Sequence, residues 1–175
     1  AHKTTAEVAS AYTEKFGVRE GLKTNQLVAC TRKLLSEKIS KAGIVITGCD
    51  FLCADTGSIA VADNDGAFLK SLSFASTHIV VAGVDKVISS VESLNILWPL
   101  SSVYEIGKEM SSYYSLISGK VSDDANLYVV LLDNGRSRIL KKERQREILA
   151  CVECGACASV CPVFSSVGGH VYQTA

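Results

Sequence analysis

Apolar positions recur at helical spacing from Ala6 to Ala42 and then give way to short, continuous apolar runs. The first stretch predicts a helix over Ala6–Phe16, capped by Thr5, with Val8, Ala11, Tyr12 and Lys15 on one face and Gly17 as its stop. A second helix is predicted from Asn25 to Ala42, with Thr24 as N-cap and Gly43 as terminator. Its Leu27, Leu34, Leu35 and Ile39 form a stripe that should lie on a core, with Cys30 beside it as a small buried residue.

From Gly43 the period changes. IVIT is a short strand, and SIAVADNDGAFLKSL reads as a hairpin reversing at Asp63-Asn64-Asp65-Gly66. THIVVAGVDK is a buried strand leading to Asp85 and Lys86, with His78 as a structural histidine at its start. A helix is expected from Ser90 to Leu97, ended by Pro99, and another over Val103–Ser112. NLYVVLLDNGRS is the last clear strand, turning at Asp133-Asn134-Gly135, and SRILKKERQREILA reads as a charged connecting helix. Strands interspersed with helices predict an α/β fold, a layered sheet with helices on both faces.

Composition narrows the class. The 175 residues are 47% apolar and 21% charged, which suits one buried domain with a small appendage. Net charge is zero, and beyond the short run Arg138–Arg146 there is no basic block, so no nucleic-acid partner is expected. No apolar run reaches the roughly 20 residues needed to span a bilayer. The start, AHKTTAEVAS, lacks an initiator Met and a signal-peptide core, and is expected to lie part-way into a longer protein. Seven cysteines outside any small secreted scaffold point to a reducing, cytoplasmic setting, any membrane association arising through partners.

Four of those cysteines form CVECGACASVCP, with the spacing Cys151-x2-Cys154-x2-Cys157-x3-Cys161-Pro162. That is the bacterial ferredoxin spacing for a 4Fe–4S cluster. Gly155 permits the tight wrap, and small neighbours let backbone N–H groups approach the inorganic core. Structural zinc favours cysteine pairs from two separate chain segments, so zinc and a redox disulfide fit this run less well. In two-cluster ferredoxins the fourth cysteine, here Cys161, ligates the other cluster. Either all four residues hold one cluster, or a second cysteine motif lies outside this chain, and the second option is favoured.

Taken together, the ordered segments IVITGCDFLCADTGSIAVADNDG, STHIVVAGVDKV, SSYYSLISGK, VVLLDNGRSRIL and CVECGACASVCPVFSSVGGHVY resemble the lactate-utilisation protein B family. The resemblance implies an α/β domain similar to the sugar-phosphate isomerase and CoA-transferase group, over residues 1–140, and the start of a ferredoxin-type module over 141–175. It also implies an iron–sulfur electron-transfer subunit, an oxidoreductase component, in a complex oxidising lactate to pyruvate. Further subunits and a second cluster would belong to the full-length protein. The chain departs from the family at Cys49 and Cys53, and Asp55 stands where Glu is usual.

Other residues are open to two readings each. Asp55-Thr56 offers a carboxylate and a hydroxyl at a strand end, or an Asx-type turn. Lys86, beside Asp85, lines a strand-end crevice or makes a surface ion pair. Arg136 pairs with a carboxylate ligand or is simply solvated. His170 tunes a cluster or packs beside it. His2 has no ligand spacing, and Cys49 and Cys53 read as core thiols. No GxGxxG, GxxxxGK[ST] or HExxH occurs, so no residue speaks for a nicotinamide, flavin or nucleotide. Two functional alternatives remain: an electron-transfer component of another dehydrogenase or heterodisulfide-reductase-like assembly, and a non-catalytic domain with a structural metal clip.

Overall fold

A computed structural model describes residues 4–19, 21–169 and 171. The chain divides into two compact units, Ala1–Ala42 and Gly43–Ala175. In the first, α1 (Thr5–Phe16) and α2 (Thr24–Ile39) form a helical pair. The α1 cap is Thr4 rather than Thr5. Its hydroxyl accepts from the Glu7 N–H, and Glu7 accepts from the Thr4 N–H in return, a reciprocal box that satisfies two orphan donors. Gly17, at φ 62°, closes the helix in the left-handed region. The Tyr12 hydroxyl meets Thr31 Oγ1 at 2.7 Å across the pair. Of the α2 stripe, Leu27 is buried, Leu34 and Ile39 are half-buried and Leu35 is exposed. Cys30 is half-buried, short of the full burial expected of it. The helix stops at Ile39, before Gly43, where the Lys41 and Ala42 amides turn to carbonyls three residues back and tighten the last turn.

The second unit holds two sheets. The first is wholly parallel, in the order β1 (Ile44–Thr47), β4 (Thr77–Gly83), β7 (Asn126–Leu132). The second is mixed, in the order β5 (Val87–Ile88), β2 (Phe51–Cys53), β3 (Ser58–Asp63), β6 (Tyr113–Ser118). Within it β2 runs parallel to β5 and antiparallel to β3, which is antiparallel to β6. The helices are α3 (Ala67–Leu72), α4 (Leu94–Ser101), α5 (Arg136–Leu140), α6 (Ala156–Val160) and α7 (Pro162–Val167). Among the described residues no helix is long and apolar enough to cross a membrane.

Central β4 alternates buried and half-buried positions, with His78, Val80 and Ala82 buried. The expected α/β class is found, with a parallel sheet and helices. Successive residues from Tyr128 to Leu132 point to opposite faces and are all exposed, so neither face of β7 is fully covered. In the mixed sheet, Phe51 and Cys53 share a face with Ala60, and Leu94 from α4 closes over them. Ile88, Val91, Leu97, Trp98 and Val152 pack around this cluster. Beside it, Trp98 stacks on Tyr114 with ring centroids 4.7 Å apart, while the Tyr114 hydroxyl meets buried Ser102 at 2.6 Å.

Several sequence expectations are corrected. The predicted hairpin at Asp63–Gly66 is a strand-to-helix turn. Asp63 accepts from the Phe68 amide and Asp65 from the Ala67 amide, so the acidic pair caps α3 instead of reversing a strand. Pro99 does not end α4, which runs on to Ser101 and into a π-turn at Ser102–Ile106, replacing the expected helix over 103–112. A π-turn spaces its carbonyls differently from an α-helix, which suits a helix interrupted by a residue without an N–H. The 137–150 helix is broken into α5 and a 3-10 turn at Arg146–Ala150, since the charged run Lys141–Glu147 has no apolar anchor. β6, a half-buried strand, has an irregular polar pattern in the sequence and was not anticipated.

Two consequences are measurable. Leu94, 3% exposed, is the helix-side residue of the mixed-sheet cluster. Leu94→Ala should lower unfolding free energy by about 2–4 kcal/mol in urea titrations, whereas exposed Ile96→Ala should change it little. His78 is held neutral: burial pushes its pKa below the ordinary histidine value, and its Nε2 lies 2.8 Å from Thr47 Oγ1. A depressed folded pKa gives stability that is full above the unfolded value and lost as pH falls towards the folded one. Denaturation midpoints should therefore drop on acidification below about pH 6.5, and His78→Gln should flatten that part of the profile.

Candidate functional site at the strand ends and the cysteine loop

Parallel pairing of β1, β4 and β7 brings three loops to one edge of the sheet, where open α/β sheets form ligand crevices. The β1 end supplies Thr47-Gly48-Cys49-Asp50. A cavity of about 390 Å³ opens there, lined by Cys49, Asp50, Ala62, Asp63 and Phe68 among others. The Asp50 carboxylate accepts the Ala62 amide at 2.5 Å. Burial pushes its pKa up, opposed by that amide and by the Lys86 charge. Burial, reinforced by the Asp50 charge, pushes the Cys49 thiol to about 11, with Lys86 pulling the other way. Cys49 is thus a neutral thiol near pH 7, although it is half-buried and lines the cavity instead of lying in the core. Cys53 is fully buried, and burial raises its pKa as well.

The β4 end supplies Gly83, Asp85 and Lys86, and the turn after β7 supplies Arg136. Arg136 Nε lies 2.5 Å from Asp85 Oδ1, a charge contact in which that oxygen receives no directed hydrogen bond. Gly83 makes this approach possible, since a Cβ at that position would collide with Asp85 Oδ1. Lys86 Nζ reaches Glu153 Oε2 at 2.6 Å. Lys86 and Arg136 are therefore brought together through adjacent Asp85 and Lys86, each already matched to an internal carboxylate.

Asp55 and Thr56 are placed elsewhere. They follow β2 at the end paired with Ile88, whereas Lys86 precedes Val87 at the opposite end of the β2–β5 pair. Asp55 accepts the Thr56 amide at 2.8 Å and the Val91 amide through both oxygens. The Val91 amide, then that of Thr56, hold its carboxyl below the usual range against burial. It works as an Asx-type cap joining two loops. Asp133 likewise accepts from the Ser137 hydroxyl and amide at the start of α5.

The cysteine run sits against this edge. Val152 packs on the Phe51–Cys53–Ala60–Leu94 cluster, and Glu153 takes the ion pair with Lys86. Glu153 adopts φ 59°, a left-handed conformation that is costly for a residue with a Cβ, and Gly155 adopts φ 77°. The Glu153 amide points to Cys151 Sγ at 3.4 Å, and the Phe164 amide to Cys161 Sγ at 3.5 Å, where the thiol caps α7 ahead of Pro162. Cys154 and Cys161 are half-buried and Cys157 is exposed. Among the described residues no three His, Cys, Asp or Glu side chains converge as a metal-holding group. Two short helices, α6 and α7, follow the first cysteines without forming a ferredoxin module by themselves.

The donor set still fits an iron–sulfur cluster. Four thiols lie in one short segment, two left-handed residues turn the chain between them, and two amides already point at sulfur, as amides around cluster thiolates do. Glu153 and Val152 were not anticipated as site residues. A charged residue at the centre of an otherwise small-residue cysteine loop is the signal that marks Glu153. His2 and His170 lie outside the described residues.

The chain is 34% identical over 176 residues to lactate utilization protein B of Bacillus licheniformis, covering 98% of this chain and 37% of that protein. The same figures hold for lactate utilization protein B of Bacillus cereus. The chain thus spans little more than a third of the length of these relatives. A crystal structure of a DUF162 family protein from Deinococcus radiodurans aligns at a TM-score of 0.41 with 21% identity, over 73% of this chain and 84% of that one. The profile of the LUD domain matches residues 1–141, and the chain belongs to the LUD domain family.

Proposed function

We propose that this chain is the part of a lactate-utilisation protein in which a LUD domain hands over to an iron–sulfur electron-transfer segment. Cys151, Cys154, Cys157 and Cys161 would hold a 4Fe–4S cluster, with Cys161 available to a second cluster in a longer protein. The observation that carries this reading is the cysteine loop itself, with its left-handed Glu153 and Gly155 and its amide-to-sulfur contacts, seated on the α/β core through Val152. The names of the relatives support lactate as the source of electrons and other proteins of a lactate-utilisation system as partners.

When bound, the cluster supplies one-electron transfer. This chain's own residues set the conditions around it. The amides of Glu153 and Phe164 donate to Cys151 and Cys161 sulfur, and amides so placed would donate to cluster-bound sulfur. Val152, half-buried, anchors the loop on an apolar cluster. Lys86 and Arg136 lie at the strand-end edge, and each is matched to a carboxylate of this chain, Glu153 and Asp85, so they fix the loops there.

Anaerobic reconstitution with iron and sulfide tests the assignment. The chain should become brown, with iron and acid-labile sulfide in equal amounts and an EPR signal on reduction. Cys154→Ser should lose most of that iron, while Cys30→Ser should retain it. A colourless protein with stoichiometric zinc, or equal iron in both variants, would overturn the ligand assignment.

A further inference from the structure

Glu153 is the only described non-glycine residue besides Asn134 with a positive φ, and it lies between two of the cysteines. Its backbone is strained, so something must hold it. Three contacts meet at this point. Val152, the preceding residue, is drawn into the apolar cluster under the mixed sheet. The Glu153 amide is turned towards Cys151 Sγ. The Glu153 carboxylate is bound at 2.6 Å by Lys86, whose side chain is only 19% exposed.

Lys86 is itself fixed. It ends the short 3-10 turn Val84–Lys86 after β4 and directly precedes β5, whose residues pair with β2. Its charge also acts on Asp50 and Cys49 at the cavity after β1. One ammonium therefore pairs with the cysteine loop and also lends its charge to half-buried Asp50 at the cavity.

We infer that Lys86 is a positioning residue that locks the cysteine loop to the strand-end edge of the LUD domain by holding Glu153 in its left-handed conformation. The loop's presentation of Cys154 and Cys157 then depends on a side chain far away in sequence. The inference gives a function to the cysteine run that rests on the cluster reading, but the link itself is a property of the polypeptide. It can be measured before any metal is bound.

The test uses the full chain, chelated and reduced, and follows alkylation of Cys154 and Cys157 by mass spectrometry. Lys86→Gln and Glu153→Gln should each raise the alkylation rate about two- to fivefold, the scale of a part-exposed ion pair. Together the two should do no more than either alone, and the exchanged pair Lys86→Glu with Glu153→Lys should return the rate towards that of the parent. High salt should raise the parent's rate and leave the single variants unchanged. Glu153→Gly serves as a second probe, because it removes the carboxylate while relieving the strained backbone. Alkylation should rise less than in Glu153→Gln if strain is what the pair restrains. Unchanged rates in both single variants, or additive effects without recovery in the exchanged pair, would overturn the inference. Iron content after reconstitution is read separately, so a chain that shows the link but takes up no iron would sink the cluster reading and leave the link standing.

Discussion

The parallel ladder around β4 is the constraint from which the rest of the site follows. Pairing β1 and β7 on its two sides in the same direction is what places Cys49, Asp50, Asp85, Lys86 and Arg136 at one edge. A parallel strand cannot be joined to its neighbour by a tight turn, so each connection must leave the edge and return. Those connections carry the mixed sheet and the helix α4, and the cysteine loop follows after β7 and α5. Gly83 shows how tightly the edge is drawn, because only a residue without a Cβ lets Asp85 and Arg136 meet over the strand end.

Two attachments of similar magnitude hold the cysteine loop. Half-burying Val152 on an apolar cluster contributes about 1 kcal/mol. The Lys86–Glu153 pair, with its glutamate 56% exposed, contributes at most about 1 kcal/mol once solvent screening is allowed for. The positive φ of Glu153 costs on the order of 1 kcal/mol. Apolar packing of Val152 is non-directional, whereas the ion pair fixes two named atoms at 2.6 Å and so supplies the geometry. That division suits a loop whose backbone must turn sharply to bring its thiols round.

Much of this was legible in the chain. The apolar runs IVIT, THIVVAG and NLYVVLL are all strands of the parallel sheet, because continuous β-branched runs can be read without knowing their partners. The cysteine spacing, Lys86 and Arg136 were visible as chemistry at predicted strand ends. What was hidden depends on long-range partners. Asp63 and Asp65 look like a hairpin turn until Phe68 and Ala67 are seen to need caps. Asp55 looks like a strand-end acid until Val91, distant in sequence, takes its oxygens. Glu153 carries no local sign of Lys86, and β6 has too irregular a polar pattern to announce a strand.

The central claim is that the loop from Cys151 to Cys161, seated on the LUD domain's own core, holds iron. Anomalous diffraction at the iron edge from anaerobically grown crystals of the reconstituted chain tests it most directly. The account predicts a compact iron peak bonded by Cys151, Cys154 and Cys157, with Val152 still packed against Leu94. Iron bound elsewhere, or a single zinc atom in that loop, would contradict it.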